Sequence, residues 1–276
     1  MIRSARARLA GVMGHPVAHS LSPRLHNFWL DRYGIDGAYV PLPVAPEHFA
    51  AALRALATLG FAGVNVTVPH KEAAFAAADE ADPAARRLGA VNMITFADGR
   101  IVARSTDGYG FLENLRAALP GWSAHGKRAV VLGAGGAARA VVAALIDEGA
   151  TVGVVNRTRS RAEALTAALG GTAIDWARRA QALDGADLLV NTTLLGMAGK
   201  DALDLDLAAL PKGAIVNDIV YAPLETPLLA AAKGRGNRVV DGLGMLLHQA
   251  RPAFAAWFGR EAEVTDELRR HVLAGG

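Results

Sequence analysis

A glycine-rich segment near the middle of the chain has the spacing of a nucleotide-binding turn. Residues 133–138 read GAGGAA and match the pattern G-x-G-x-x-A, between an apolar run and a helical pattern. In that pattern the first glycine permits a tight turn, the second lets backbone amides approach a pyrophosphate, and the alanine allows close helix–strand packing. The strand–turn–helix context therefore predicts a dinucleotide site. Its predicted contact residues are Gly133, Ala134, Gly135, Gly136 and Ala137.

The residues about twenty positions beyond this turn predict which dinucleotide binds. An NAD site usually places Asp or Glu there, to hold the 2′-hydroxyl of the ribose. This chain instead reads NRTR over residues 156–159, with no carboxylate. Since a guanidinium suits a 2′-phosphate through paired, charge-assisted hydrogen bonds, we predict NADP, with a solvated arginine cluster as the alternative. The predicted contacts are Asn156, Arg157, Thr158 and Arg159.

Neutral polar side chains, a lysine and an aspartate are concentrated in five further segments. Ser, Thr, Asn and Gln can bind a polyhydroxylated acid without the desolvation of a charge. A lysine can deliver a proton to a ketone oxygen as hydride arrives at the carbon, or stabilise the developing oxyanion. The segments are residues 14–23 (GHPVAHSLSP), 65–71 (NVTVPHK), 89–92 (GAVN), 105–108 (STDG) and 241–250 (DGLGMLLHQA).

Several of these side chains also have a purely structural explanation. Ser22, before a proline, is a good helix N-cap, and Asp107 is placed to cap the helix that follows it. Lys71 suits a solvated helix start, and Gln249 suits a satisfied amide in a Leu-rich core. Three histidines suggest a metal cluster, but no carboxylate follows them at ligand spacing, so we predict no metal site. They are His15, His19 and His26.

The amino-acid composition excludes several classes of function. The 276 residues include 29 Lys+Arg and 26 Asp+Glu, for a net charge of +3, and no cysteine. The missing cysteine excludes disulfide frameworks, Cys-ligated zinc and thiol catalysis. Three excess charges form no basic stripe, so we expect no nucleic-acid partner. Charge or glycine interrupts every apolar stretch within about 18 residues, so we expect no membrane partner.

Strand-like and helix-like segments alternate along most of the chain, which predicts an α/β fold with a parallel, doubly wound sheet in its second half. We place one domain at residues 1–107, completed by C-terminal helices over 243–276, and the other at 108–242. The stretch 243–258 contains Pro252, so we expect that helix to be kinked or split.

In order, spacing and residue content, the seven segments above resemble the shikimate dehydrogenase family, from about Gly11 to Phe258. The resemblance implies an N-terminal substrate-binding and catalytic domain, a Rossmann-like NADP domain, and an active site in the cleft between them. It implies a cytoplasmic enzyme, monomer or homodimer, that reduces 3-dehydroshikimate to shikimate with NADPH. That step belongs to the shikimate pathway, which leads to chorismate and the aromatic amino acids.

The resemblance also implies roles for single residues. Lys71 and Asp107 match the catalytic pair, and because a close Lys–Asp pair titrates as a unit, the formal proton donor stays open. Ile219 and Gly242 match residues beside the cofactor. The matched substrate contacts are Ser20 and Ser22 for the carboxylate, Asn65, Thr67, Asn92 and Gln249 for ring hydroxyls, and Tyr221 near the substrate.

Two residues depart from the family pattern. Ser105 replaces the usual Asn before Thr-Asp, so a polar contact beside Asp107 is expected to be shorter or water-mediated. Leu194 stands where a small polar residue is common, in a loop that borders the cofactor, which puts cofactor affinity in doubt. Two alternatives remain: a quinate/shikimate dehydrogenase that uses NAD, and a non-catalytic NADP-binding sensor.

Overall fold

A computed structural model describes residues 3–274 of the chain. The chain divides into two compact units, one of Met1–Thr106 with Leu246–Gly276, and one of Asp107–Met245. The predicted boundaries, at 107/108 and 242/243, lie beside these. The roles assigned to the two domains stay predictions at this point.

Unit 1 contains a six-stranded mixed sheet with strand order β2-β1-β3-β5-β6-β4. Its strands are β1 (Arg8–Gly14), β2 (Gly37–Pro43), β3 (Gly63–Val66), β4 (Glu80–Ala81), β5 (Met93–Ala97) and β6 (Arg100–Arg104). The first three strands are parallel, whereas β5 runs antiparallel to β3 and to β6. The pair Asp98-Gly99 in the sequence predicts a hairpin turn, and it joins β5 to β6 with φ angles of 51° and 74°, both left-handed. The helices of this part are α1 (Ser22–Arg32), α2 (Phe49–Thr58), α3 (Lys71–Ala77) and α4 (Pro83–Leu88).

Unit 2 contains a six-stranded, fully parallel sheet with strand order β12-β11-β10-β7-β8-β9. The chain starts in the middle at β7, moves outward to β9, then crosses back to β10 on the other side of β7. This is the strand order of doubly wound nucleotide-binding sheets, and the direction of winding reverses between β7 and β10. The strands are β7 (Arg128–Leu132), β8 (Thr151–Asn156), β9 (Thr172–Asp175), β10 (Leu188–Asn191), β11 (Ile215–Asp218) and β12 (Arg238–Val240). The helices are α5 (Asp107–Ala118), α6 (Gly136–Asp147), α7 (Arg159–Leu169) and α8 (Pro227–Gly234).

Two helices complete the chain, α9 (Leu243–Phe258) and α10 (Asp266–Leu273). The sequence predicts a helix that is kinked or split at Pro252, and the split is wrong, because α9 is a single helix with the proline inside it. A proline costs the helix one hydrogen bond. Packing offsets that loss here, since Ala253, Phe254 and Trp257 are all 0% exposed.

Each unit has its own apolar core. In unit 1 the strand residues Met13, Val64 and Ile94 pack with Phe49 and Leu53 of α2. In unit 2 the core joins the sheet to α8 and to the loops beside it, with Val130, Leu189, Val216 and Leu229 among its buried members. The central strands β7, β10 and β11 are buried along nearly their whole length, which is typical of a parallel sheet covered on both faces. The predicted α/β class is confirmed.

Three local features differ from the sequence-based expectations. Ser22 is not an N-cap: α1 begins at Ser22 itself, the cap position is Leu21, and no side chain caps the helix. The sequence predicts one helix over Pro46–Thr58, whereas the structure begins this stretch with a separate 3-10 turn, Pro46–His48. The strands β4 and β9 and the helix α8 were not predicted, since two of them are at most four residues long. Within residues 3–274, no helix is long and apolar enough to cross a membrane.

Candidate active site

The glycine-rich turn leaves the carboxyl end of β7 and leads into α6. Gly133 has a φ of 112°, and a Cβ on it would lie 2.5 Å from Oγ1 of Thr192. Gly135 precedes α6 in an extended conformation, and a Cβ there would meet nothing within 4 Å. Gly133 is therefore required by both its backbone angle and its neighbour, whereas open space lies beside Gly135.

This end of α6 suits a pyrophosphate. The first-turn amides of a helix have no intrahelical acceptors and carry the positive end of the helix dipole. Here they open beside the space at Gly135, while Ala138 is fully buried and lets α6 approach the sheet. The turn lies where the winding of the sheet reverses, which is where such sheets bind dinucleotides. The residues present therefore fit the predicted cofactor.

The segment predicted to hold the 2′-phosphate follows β8. Asn156 ends the strand, and its Nδ2 donates to the carbonyl of Thr158 at 2.8 Å, which shapes the turn. Arg159 already has acidic partners within the chain, because its guanidinium pairs with Glu163 at 2.7 Å and lies 3.7 Å from Asp175. Arg157 is exposed and lies between Asn156 and Thr158 in the turn. The structure thus distinguishes the two arginines, and Arg157 is the better candidate for a phosphate.

The carboxyl ends of β10 and β11 bring further predicted residues to the same edge of the sheet. The amide of Ile219 donates to the carbonyl of Asn191 at 3.1 Å. A Cβ on Gly242 would overlap the backbone carbonyl of Ile219, so only glycine fits. Tyr221 is partly buried, and desolvation raises the pKa of its phenol. Leu194, in the neighbouring loop, is 52% exposed, which leaves this departure from the family pattern on the surface.

In unit 1 the two candidate carboxylate-binding serines lie at the start of α1. The amide of Ser22 donates to Oγ of Ser20 at 3.3 Å, so the two residues share one turn. Ser22 is buried and makes no helix cap, and its hydroxyl forms a side-chain hydrogen bond with the phenol of Tyr39 instead. Thr67 and Lys71 follow β3, both half-buried, and Lys71 is the first residue of α3.

Three predicted amides of unit 1 form one buried network. Nδ2 of Asn65 donates to the carbonyl of Asn92 at 3.0 Å. Nδ2 of Asn92 donates to Oε1 of Gln249 at 2.9 Å, although these residues are 157 positions apart in the chain. Nε2 of Gln249 donates to the carbonyl of Leu246 at 3.0 Å. The structural explanation of Gln249 as a satisfied core amide is therefore partly correct, but its bonding partner belongs to the candidate site.

Two residues of this network were missed by the sequence analysis. Thr106 is buried, its amide donates to Oδ1 of Asn92 at 2.7 Å, and its hydroxyl donates to the carbonyl of Gln249 at 2.9 Å. Tyr39 is also buried and donates its hydroxyl to Oδ1 of Asn65 at 2.7 Å. The position of Thr106 beside Asp107 was an available signal. Nothing in the strand pattern around Tyr39 distinguishes it from a core residue.

The imidazole of His26 lies beneath this network. Its ring stacks on Tyr39, with centroids 4.0 Å apart and planes 1° apart, and the rings of Trp29 and Phe254 close the cluster. Burial lowers the pKa of His26 to about 3, and the nearby Asn65 amide opposes this only in part. His26 is therefore neutral at ordinary pH.

Asp107 is the first residue of α5, in unit 2, and is 7% exposed. Ser105, the second departure from the family pattern, is half-buried two positions before it.

Among residues 3–274 there is no group of three or more His, Asp or Glu side chains arranged to hold a metal ion.

Family models of known proteins match most of the chain. They are the shikimate dehydrogenase substrate binding domain over residues 12–94, shikimate / quinate 5-dehydrogenase over 116–195, and the shikimate 5′-dehydrogenase C-terminal domain over 242–272. A shikimate dehydrogenase (NADP(+)) of Paramagnetospirillum magneticum is 60% identical over 275 residues, covering 98% of this chain and 100% of the relative. One of Rhodospirillum rubrum is 59% identical, covering 98% of each chain.

Solved structures agree in fold. Shikimate dehydrogenase from Aquifex aeolicus has a TM-score of 0.92 at 36% identity, covering 99% of this chain and 100% of that chain. The Thermus thermophilus enzyme, solved with NADP(H) and shikimate, has a TM-score of 0.88 at 40% identity, with 96% and 100% covered. Quinate dehydrogenase from Corynebacterium glutamicum, solved with NAD, has a TM-score of 0.88 at 31% identity, with 97% and 99% covered.

Proposed function

The chain belongs to the shikimate dehydrogenase family, and from that premise we propose that it reduces 3-dehydroshikimate to shikimate with NADPH. The product would serve the route to chorismate and the aromatic amino acids, in the cytoplasm. The observation that carries the substrate assignment is the buried amide network of Asn65, Asn92 and Gln249, in the same unit as Ser22. Such a set of fixed neutral groups suits a compact acid with several hydroxyls.

The cofactor of this oxidoreductase is NADP. The turn at residues 133–138 would hold its pyrophosphate on the amides of α6, and Arg157 would pair with the 2′-phosphate. Ile219 and Gly242 are the proposed neighbours of its nicotinamide end. When bound, the reduced nicotinamide supplies the hydride that the reaction needs.

The substrate roles follow from the chemistry of each side chain. Ser20 and Ser22 are the proposed donors to the carboxylate, and the amide network and Thr67 the proposed partners of the ring hydroxyls, with Tyr221 near the ring. Fixed donors and acceptors select against substrates that lack the matching hydroxyl, because a buried polar group left unpaired costs about 1–3 kcal/mol.

The reaction adds a hydride to the carbonyl carbon and one proton to the carbonyl oxygen. We assign the step at the carbonyl oxygen to Lys71. Its ammonium can give that proton or stabilise the negative charge that develops on the oxygen. Asp107 is proposed to accept a hydrogen bond from a hydroxyl of the substrate. The formal proton donor is not assigned between the two residues.

A spectrophotometric assay at the NADPH absorbance band near 340 nm tests this proposal. We expect oxidation of shikimate with NADP, and NADPH consumption with 3-dehydroshikimate, each with kcat/KM at least about tenfold above the value with the other nicotinamide cofactor. Quinate is the discriminating substrate, since the likeness to the Corynebacterium glutamicum enzyme makes quinate oxidation with NAD the second candidate. Equal or better turnover of quinate with NAD would replace the proposal, and NADPH binding without turnover would favour a sensor. Size-exclusion chromatography with light scattering tests the expected monomer or homodimer.

A further inference from the structure

A buried carboxylate lies at the end of β11 and has no role in the proposed mechanism. Asp218 is 0% exposed and accepts three hydrogen bonds. Nδ2 of Asn191 donates to it at 3.0 Å, the amide of Val220 at 3.0 Å, and the hydroxyl of Thr226 at 2.8 Å. These three donors are neutral, and burial raises the pKa of Asp218 above its ordinary value. Burying a carboxylate costs free energy of desolvation, so a residue of this type at a fully buried position suggests a specific role.

The first partner shapes the loop that follows β10. Asn191 is itself fully buried, and its Oδ1 accepts from the amide and hydroxyl of Thr193 at 3.0 and 2.7 Å. Its Nδ2 also donates to the carbonyl of Leu195 at 3.1 Å. The same Nδ2 donates to Asp218, so these bonds together fix the orientation of the Asn191 side chain. The loop over residues 191–195 is in turn held by its bonds to that side chain.

The other two partners hold the loop that follows β11 at both ends. Val220 bonds to Asp218 near the start of that loop, and Thr226 bonds to it at the end. Thr226 also accepts from the amide of Leu229 at 3.3 Å and so caps α8. Between the two ends lies Tyr221, two positions after Ile219.

The loop after β10 lies between the nucleotide turn and the loop after β11, since a Cβ on Gly133 would meet Thr192 and one on Gly196 would lie 3.6 Å from Thr226. The hydroxyl of Thr192 donates to the carbonyl of Leu132 at 2.6 Å, and its Oγ1 lies against Gly133. The path from Gly133 through Thr192 and Asn191 to Asp218 is thus continuous within one unit. We propose that Asp218 is a positioning residue for cofactor binding, which fixes the loops after β10 and β11 in the arrangement that receives the nicotinamide end of NADP. This inference rests on the proposed cofactor.

Three variants distinguish a role of Asp218 in positioning the two loops from a role only in the stability of the fold. Asp218→Ala removes all three bonds. Asp218→Asn retains an acceptor for Asn191 and Val220, and its new amide can donate to the hydroxyl oxygen of Thr226, which has two lone pairs. Asn217→Ala is the matched control, because Asn217 is the preceding residue of β11, is 1% exposed, and bonds instead to the carbonyl of Val240 at 2.9 Å.

The readouts are the Kd for NADPH, from the change in its fluorescence on binding, and amide hydrogen exchange of residues 191–196 and 219–226 without cofactor. We expect Asp218→Ala to raise the Kd at least about tenfold and to speed exchange in both loops, whereas Asp218→Asn stays within about threefold of the wild type. Asn217→Ala should lower the Tm with a Kd near the wild-type value.

The proposal is overturned if Asp218→Ala binds NADPH as the wild type does, or if Asn217→Ala weakens binding equally. If Asp218→Ala does not fold, Thr226→Val decides, since it removes one hydroxyl. A Kd raised about threefold or more then supports the proposal, and an unchanged Kd overturns it. A wild-type chain that fails to bind NADPH refutes the proposed cofactor instead. Normal wild-type binding with an unaffected Asp218→Ala refutes the role of Asp218 alone.

Discussion

The hydroxyl oxygen of Thr192 lies 2.5 Å from the point that a Cβ would occupy on Gly133. The two residues follow neighbouring parallel strands, β10 and β7, on either side of the position where the winding of the sheet reverses. The loop after β10 therefore packs on the nucleotide turn with no space for a side chain.

Replacing Gly133 should remove cofactor binding. Gly133→Ala forces a methyl group against Thr192 at a φ of 112°, so the turn must open and its amides must move. We expect the Kd for NADPH to rise at least about 100-fold, measured by titration of NADPH fluorescence. Gly234→Ala is the control, because that glycine ends α8 with nothing within 4 Å of its Cβ position, and it should bind NADPH normally. Wild-type affinity in Gly133→Ala would contradict the assignment of this turn.

Arg157 should determine the choice between NADP and NAD. Charge-assisted hydrogen bonds are worth about 1.5–3 kcal/mol, so Arg157→Ala should lower the NADP/NAD ratio of kcat/KM about 10- to 100-fold. The comparison is Arg159→Ala. The guanidinium of Arg159 already pairs with Glu163 and Asp175, so its removal should change the NADP/NAD ratio less. Steady-state kinetics with both cofactors measures this. A larger effect at Arg159 would reverse the assignment of the two arginines.

The sequence was most informative where a function needs consecutive residues. The turn at 133–138 depends on glycine at fixed spacing, so its position and the strand and helix beside it could be predicted. The error at Ser22 has a local cause. Leu21 adopts a helical conformation, with φ −83° and ψ −6°, which starts the helix one position early and leaves the serine inside it.

The contacts that escaped prediction are those whose partners are distant in the chain. Asn92 and Gln249 bond across 157 positions, and Asn191 reaches Asp218 across 27. Tyr39 has the pattern of an ordinary buried strand residue, and only the fold places its hydroxyl on Asn65. A single sequence carries no signal for such pairs, because their register is set by strand order rather than by spacing.

Lys71 should act on the chemical step more than on substrate binding. We expect Lys71→Ala to lower kcat about 100-fold or more, within the range of general acid catalysis, with the KM for shikimate within about threefold. Glu72→Gln is the matched control on the same turn of α3; Glu72 is exposed, and its variant should keep the wild-type kcat. Initial rates over a range of shikimate concentrations separate the two constants. An increase in KM with kcat unchanged would make Lys71 a binding residue instead.

His26 should make the stability of the chain depend on pH. Its pKa is about 3 in the folded chain and 6.5 as a free side chain, so between these values the unfolded chain binds more protons. The stabilising effect of neutral His26 is therefore complete above pH 6.5 and is lost progressively as the pH falls towards 3. From about pH 7 to about pH 5 this amounts to about 2 kcal/mol of unfolding free energy.

The variant His26→Phe keeps an aromatic ring against Tyr39 but cannot be protonated, so it should lack this contribution. We expect urea unfolding at the two pH values to show a loss of stability about 2 kcal/mol smaller for His26→Phe than for the wild type. His48→Phe, at an exposed histidine of the same unit, should retain the wild-type difference. Equal pH dependence in His26→Phe and the wild type would mean that acid does not act on the folded chain through His26.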